Sequence, residues 1–105
     1  MTLRIYQDSL QMVREAYAAA KRIEKRDGDL ARQLRRSSSS VPLNIAEGSH
    51  SHKGNRIARY TTAMGSANEV RSTLQVATVV GLLPADTELD DRLDKIVATL
   101  WRLTN

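Results

Sequence analysis

Apolar residues spaced three and four positions apart fill the start of this chain and indicate a helix. Along this segment they are Leu3, Tyr6, Leu10, Val13, Tyr17 and Ala20. Heptad spacing of this kind places every member on one stripe of an α-helix, whereas a strand needs an interval of two. We therefore predict a helix from about Leu3 to Arg26. We expect Gly28 to end it in the left-handed conformation and Asp29 to cap the next helix.

The second segment combines a helical pattern with a proline. Its apolar face comprises Leu30, Leu34, Val41 and Ile45, and four consecutive serines and Pro42 interrupt it. A serine run before a proline is also typical of a linker. The helical spacing resumes directly after Pro42, however, which favours a continuous helix kinked at that residue. A proline inside a helix costs about 3 kcal/mol, because the carbonyl four residues earlier, that of Ser38, loses its donor.

Two further helices are predicted after a loop of small and polar residues between Gly48 and Asn55. The third helix should run from about Asn55 to Val80 and end at Gly81. Its inward residues are predicted to be Ile57, Tyr60, Met64, Ala67, Leu74 and Ala77. The fourth should begin near Pro84, with acidic residues at its positive dipole end. Its inward residues are predicted to be Leu89, Leu93, Ile96, Leu100 and Leu103.

Four helices with short connections predict an all-α fold, an antiparallel up-down-up-down four-helix bundle with a Pro-kinked second helix. We expect residues 1–105 to form one domain. A chain of this size buries only about 60–65% of its unfolded surface, which favours self-association. It contains no cysteine, so disulfides and thiolate metal sites are not expected. We recognise no signal peptide or membrane-spanning run, and we expect a cytoplasmic location.

Two stretches of the chain resemble a known family. Residues 34–48 are LRRSSSSVPLNIAEG, and residues 65–83 are GSANEVRSTLQVATVVGLL. They are similar to four-helix bundle proteins encoded in intervening sequences of bacterial large-subunit ribosomal RNA genes, whose pattern includes Pro-x-Asn-Ile-Ala-Glu-Gly. The matching residues are Arg35, Arg36, Ser40, Val41, Pro42, Asn44, Ile45, Ala46, Glu47, Gly48, Gly65, Ser66, Glu69, Leu74, Ala77 and Gly81. The chain departs from the family in a shorter loop after Gly48 and in Arg59, which precedes Tyr60 where aromatics are common.

The resemblance also implies an assembly and a set of partners. Members of this family resemble homopentamers that form a ring around a central channel. The same architecture occurs in the accessory proteins of diversity-generating retroelements, which bind a reverse transcriptase and nucleic acid. The resemblance therefore implies further copies of this chain, RNA or DNA, and a reverse transcriptase as partners.

Positive charge is concentrated in the first three quarters of the chain. Residues 1–81 contain 13 Lys and Arg against 7 Asp and Glu, whereas residues 82–105 contain 3 against 5. This imbalance favours a polyanion partner, although every bundle also needs solvated charged faces. The predicted nucleic-acid-binding residues are Lys21, Arg22, Lys25, Arg26, Arg32, Arg35 and Arg36, with a smaller set at Lys53, Arg56 and Arg59. The alternative is pairing with acids, either within the chain, as between Asp29 and Arg32, or between subunits.

Pro42, Asn44, Glu47 and Gly48 are predicted to have structural roles. We expect Asn44 to bond the backbone that Pro42 frees and Glu47 to pair with an arginine in a buried polar network. No catalytic residue, metal or cofactor is expected, because the serines lack a positioned base and a di-metal bundle needs more carboxylates. The sequence thus predicts a non-enzymatic, homo-oligomeric binding module. The alternatives are an adaptor subunit for a mobile-element enzyme, such as a reverse transcriptase, and a purely structural oligomer.

Overall fold

The computed structural model describes residues 3–105, which form four helices and no strand. The helices are α1 (Leu3–Ile23), α2 (Gly28–Ser49), α3 (Lys53–Val79) and α4 (Thr87–Thr104). The predicted all-α class and the four predicted helices are confirmed. Within residues 3–105, no helix is long and apolar enough to cross a membrane. Met1, Thr2 and the side chain of Leu3 lie outside the described residues.

Helix α2 runs without interruption through Pro42. A continuous helix is therefore correct and a linker is wrong, while the kink stays a prediction. Ser37 and Ser38 are buried, and their hydroxyls donate to the carbonyl oxygens of Gln33 at 3.0 Å and Arg35 at 3.1 Å. Because each hydroxyl finds a partner on its own helix, these serines act as small core residues without an unsatisfied polar group.

The C-terminal part of α2 packs directly against an aromatic ring of α3. Tyr60 is buried, and its ring occupies the space beside Gly48. A Cβ atom at Gly48 would lie 2.5 Å from Tyr60 Cε1, which is well inside van der Waals contact. Gly48 is therefore required by the close approach of α3, since its φ angle is not positive. This contact supports the structural role predicted for Gly48.

Polar side chains join each pair of neighbouring helices. The pairs are Tyr17–Ser39 between α1 and α2, Ser40–Ser66 between α2 and α3, Arg71–Asp94 between α3 and α4, and Glu15–Arg92 between α1 and α4. Each helix therefore has two neighbours, and the four helices enclose one shared core.

The inward face predicted for α1 is wrong by one position. The buried residues of this helix are Ile5, Ser9, Met12, Ala16, Ala20 and Ile23. Of the predicted stripe, Ala20 is buried and Tyr6 and Val13 are half-buried, but Leu10 and Tyr17 are each 41% exposed. A shift of one residue rotates a helix face by about 100°. The small side chains of the true stripe allow α1 to pack closely on its neighbours, which decides the orientation.

The helix ends differ from the predictions at one boundary and agree at another. Asp27, not Asp29, caps α2, since its carboxylate accepts a hydrogen bond from Leu30 N at 3.0 Å. Gly28 is the first residue of α2 and does not adopt the predicted left-handed conformation. Gly81 has φ +82° and ends α3 as predicted. Asp27 takes the cap because the helix starts one residue after it, which leaves Asp29 inside the first turn.

Most predicted inward residues of α3 and α4 are confirmed. Those that the structure buries are Tyr60, Ala67, Leu74, Ala77, Leu89, Leu93, Ile96 and Leu100. Met64 is half-buried, whereas Ile57 and Leu103 are exposed and the prediction is wrong for both. Ile57 lies near the beginning of α3 and Leu103 near the end of α4, where fewer neighbouring residues cover a side chain.

Replacing Gly48 should destabilise the bundle more than replacing another helical glycine. We expect Gly48→Ala to lower the free energy of unfolding by about 1–3 kcal/mol, because the new methyl group meets the Tyr60 ring. Gly65→Ala is the matched control. A Cβ at Gly65 meets no atom within 4 Å, and alanine favours a helix over glycine by up to about 1 kcal/mol. Equal urea midpoints for the two variants would contradict the close-approach argument.

Candidate polyanion-binding surface

Three exposed cations lie close together along the chain in the last turn of α1 and the turn that follows it. Lys21, Lys25 and Arg26, here named the α1 terminal cluster, lie within six consecutive residues. None of them takes part in an ion pair among residues 3–105. Their charge is therefore available to an external anion.

The acidic residues beside this cluster are engaged elsewhere. Glu24 pairs with Arg35, and Asp29 pairs with Arg32. Asp27 caps α2. These contacts use the nearby carboxylates to organise the start of α2, so they are not free to neutralise the lysines. The region consequently keeps an excess of exposed positive charge.

Arg22 differs from its neighbours in α1. It lines a groove of about 540 Å³ between α1, α3 and the start of α4. The same groove is lined by Asp86, Glu88 and Asp90. These acids lower the net positive charge around the groove without pairing with Arg22, which makes Arg22 a weaker candidate for phosphate contact than the α1 terminal cluster.

The predicted arginines of α2 divide into paired and unpaired side chains. Arg32 pairs with Asp29, as the sequence alternative expected. Arg35 pairs with Glu24 and lies over the Tyr17 ring, 5.9 Å from its centroid. Arg36 is exposed and belongs to no ion pair within the described part of the chain. Arg35 therefore contributes to the contact between α1 and α2, whereas the side chain of Arg36 is exposed to solvent.

The smaller basic set near the α2–α3 connection is also divided. Arg56 donates from Nε to the carbonyl oxygen of Gly48 at 3.3 Å and from a terminal nitrogen to that of Ser51 at 3.2 Å. These bonds tie the connection to α3, so Arg56 has a structural role here. Lys53 and Arg59 are exposed and are absent from the ion pairs formed by residues 3–105.

Asn44 and Glu47 do not form the network predicted from the sequence. Asn44 donates to the carbonyl oxygen of Ser40 at 2.9 Å and to its hydroxyl at 3.0 Å. It does not bond the carbonyl of Ser38, which lies six residues back, about 9 Å along the helix. Glu47 is exposed instead of buried, and no ion pair in the described chain includes it.

Several large apolar side chains are exposed, and the predicted binding residues do not include them. Leu43 is 67% exposed and Trp101 is 57% exposed. The sequence contains a signal for Leu43, because it falls outside the inward stripe of α2. Contiguous apolar patches, unlike single exposed residues, mark surfaces that meet other molecules.

Comparison with known proteins concerns the fold and the family. A family model described as 23S rRNA-intervening sequence protein matches residues 1–102. The crystal structure of a protein of unknown function from the S23 ribosomal protein family of Bacteroides thetaiotaomicron has a similar fold, with a TM-score of 0.89. The two chains are 17% identical over 96% of this chain and 98% of that one. No curated protein matches the chain. At 17% identity the solved structure bears on the fold alone.

The division among the arginines should be measurable as a difference in stability. We expect Arg35→Gln to lower the free energy of unfolding by about 1 kcal/mol, because it removes both the Glu24 pair and the contact with Tyr17. Arg36→Gln removes the same charge from the next position and should change stability by less than about 0.5 kcal/mol. Urea unfolding of the two variants tests this. An equal loss for both would show that Arg36 also stabilises the fold.

Proposed function

The chain belongs to the 23S rRNA-intervening sequence protein family, and we propose that it is a non-enzymatic, homo-oligomeric module that binds RNA or DNA phosphates. The observation that carries the proposal is the α1 terminal cluster, whose cations are exposed while the acids beside them are engaged. Contacts between such cations and phosphates do not depend on base sequence, and the affinity that they give falls steeply as the salt concentration rises. We place this activity in the cytoplasm.

We also propose the up-down-up-down helix order and a kink at Pro42. The order is supported by paired contacts, since Tyr17 meets Ser39 while the later Glu24 meets the earlier Arg35. Such inversion is typical of helices that run in opposite directions, and the contacts between α2 and α3 follow the same rule. The kink is supported by the missing amide hydrogen of Pro42.

Assembly would strengthen weak phosphate contacts by repetition. In a homopentameric ring the α1 terminal cluster occurs five times, and copies that point the same way place it on one rim. Binding several phosphates of one strand at once raises the overall affinity without any new contact. The oligomer and the basic cluster therefore support one activity.

The proposed oligomer can be tested by its mass in solution. We expect light scattering after size exclusion to give a mass of five times the 11.7 kDa chain. The mass should persist at the salt concentrations that abolish nucleic-acid binding, because apolar contacts are not screened by ions. A monomer at micromolar concentration would contradict the oligomer.

Nucleic-acid binding should depend on the α1 terminal cluster. We expect fluorescence anisotropy to detect binding of a mixed-sequence single-stranded 20-mer RNA at low salt. The triple variant Lys21→Gln, Lys25→Gln, Arg26→Gln should bind more weakly. The slope of log affinity against log salt should fall in magnitude by about 2, because each phosphate contact to a single strand contributes about 0.7.

A second triple variant controls for net charge. Arg4→Gln, Lys95→Gln, Arg102→Gln removes three exposed cations that lie outside the cluster, and it should keep the salt dependence of the original protein. A duplex DNA probe shows whether the cluster distinguishes RNA from DNA. Absence of binding at low salt, or equal slopes for both triple variants, would contradict the proposal.

An adaptor for a mobile-element enzyme, such as a reverse transcriptase, is the second candidate. The exposed side chains of Leu43 and Trp101 support it, because aromatic residues such as Trp101 are enriched at protein interfaces. Co-purification from the native host after nuclease treatment distinguishes the two. A protein partner that survives nuclease favours the adaptor, and its loss with the nucleic acid favours phosphate binding.

A further inference from the structure

Two groups of exposed apolar side chains lie on opposite sides of the bundle, and a further group (Val76, Val79 and Val80) is exposed at the end of α3. The α1–α2 face presents Leu10, Tyr17 and Leu43, and the α3–α4 face presents Ile57 and Trp101 beside the half-buried Met64. Because the helices contact each other in the cycle α1, α2, α3, α4, these two faces point away from one another. One chain therefore carries two different apolar surfaces.

We infer that the α1–α2 face of one copy docks on the α3–α4 face of the next copy, with the two copies side by side and parallel. This inference rests on the proposed homo-oligomer and assigns the surfaces that build it. A contact between two different faces is heterologous, and copies repeated through it form a closed ring where the rotation between neighbours closes and an open array where it does not. It therefore has a geometry from which a ring can be built.

The apolar residues of the two faces lie at the same height along the bundle. The Ser40–Ser66 hydrogen bond shows that these two residues lie at the same height in α2 and α3. Leu43, three residues after Ser40, therefore lies at the height of residues 63 and 64 in the antiparallel α3. The Arg71–Asp94 pair sets α3 level with α4. Met64 lies seven residues before Arg71 in α3, and Trp101 lies seven residues after Asp94 in α4. Because the two helices are antiparallel, both residues lie about 10.5 Å from the pair in the same direction and are level with each other. A parallel neighbour therefore brings Trp101 opposite Leu43.

Opposite charges lie at a second common height. Arg36, four residues before Ser40, is level with Asp94, and Asp90 lies one turn further along the same stripe of α4. Arg36 and Asp90 are exposed and belong to no ion pair among the described residues. Parallel docking would place Arg36 about 10 Å from the apolar contact and within one helical turn of Asp90, the acid of the two that is not paired, since Asp94 pairs with Arg71. Charge complementarity thus selects a second copy of this chain as the occupant.

The centre of the α1–α2 face is already held in one conformation. Tyr17 shares a 2.8 Å hydrogen bond with Ser39, and Arg35 lies over its ring while pairing with Glu24. Tyrosine and arginine are the residues most often found at the energetic centre of protein interfaces. Since their side chains are ordered before docking, less conformational entropy is lost on association.

The faces are large enough for a stable contact. The Cα atoms of the bundle extend over 43 × 22 × 19 Å, so one side offers roughly 900 Å². A stable interface buries about 800 Å² on each partner. Docking along the whole length of the bundle therefore reaches the required area.

Cross-linking can test the assignment, because the natural chain contains no cysteine. We expect a mixture of Leu43→Cys and Trp101→Cys chains to form a disulfide between copies under mild oxidation, since a disulfide needs Cα atoms within about 7 Å. Neither variant alone should form this dimer. Val79→Cys is the control, because Val79 is 85% exposed but lies about 24 Å further along the axis from Leu43. It should not cross-link to Leu43→Cys.

Each other outcome overturns the inference in a recognisable way. If Leu43→Cys cross-links chiefly to itself, the contact is two-fold instead of heterologous. If the oligomer forms but positions 43 and 101 do not cross-link, the homo-oligomer stands and the assigned faces are wrong. If the protein is a monomer, both the homo-oligomer and this inference fail.

A charge reversal tests the second contact. We expect Arg36→Asp to raise the dissociation constant of the oligomer at least tenfold in sedimentation experiments. Adding Asp90→Arg to the same chain should restore association, because the two charges are then exchanged across the interface. Circular dichroism should show unchanged helix content in both variants. A double variant that associates no better than Arg36→Asp would overturn the pairing.

Discussion

The close approach of α2 and α3 is the constraint on which the rest of the bundle depends. Tyr60 occupies the space that a side chain at Gly48 would need, and Ser40 and Ser66 share a 2.8 Å hydrogen bond further along the contact. The same part of α2 also secures the connection to α3, because the Gly48 carbonyl accepts a hydrogen bond from Arg56. Arg56, which the sequence predicts to contact phosphate, therefore helps to hold α2 and α3 together.

The positive surface follows from how the acids near the α1–α2 connection are used. Asp27 caps a helix, while Glu24 and Asp29 pair with arginines of α2. A count of charges along the sequence treats these carboxylates as neutralising their neighbours. In the folded chain these carboxylates bind groups at the beginning of α2, and neither Lys21 nor Lys25 has an ion-pair partner among residues 3–105. Exposed charge therefore depends on hydrogen bonding and pairing as much as on composition.

The sequence predicts the number and class of the elements well, because a period of 3.6 residues is a local property of each segment. It fails on the face of α1, where Leu10 and Tyr17 have heptad spacing but lie on the surface. Only packing against neighbouring helices distinguishes this stripe from that of Ala16 and Ala20. The same limit applies to the site, since the pairing of Arg35 with Glu24 joins residues eleven positions apart, one in α2 and one in the turn after α1.

The stretch that identifies the family has two faces with different uses. Its inner residues, such as Val41 and Ile45, are buried in the core. Leu43 occupies the open position of Pro-x-Asn-Ile-Ala-Glu-Gly and points to solvent. The same α-helical stretch therefore supplies core packing on one side and an unburied apolar side chain on the other, because successive positions of a helix point in different directions.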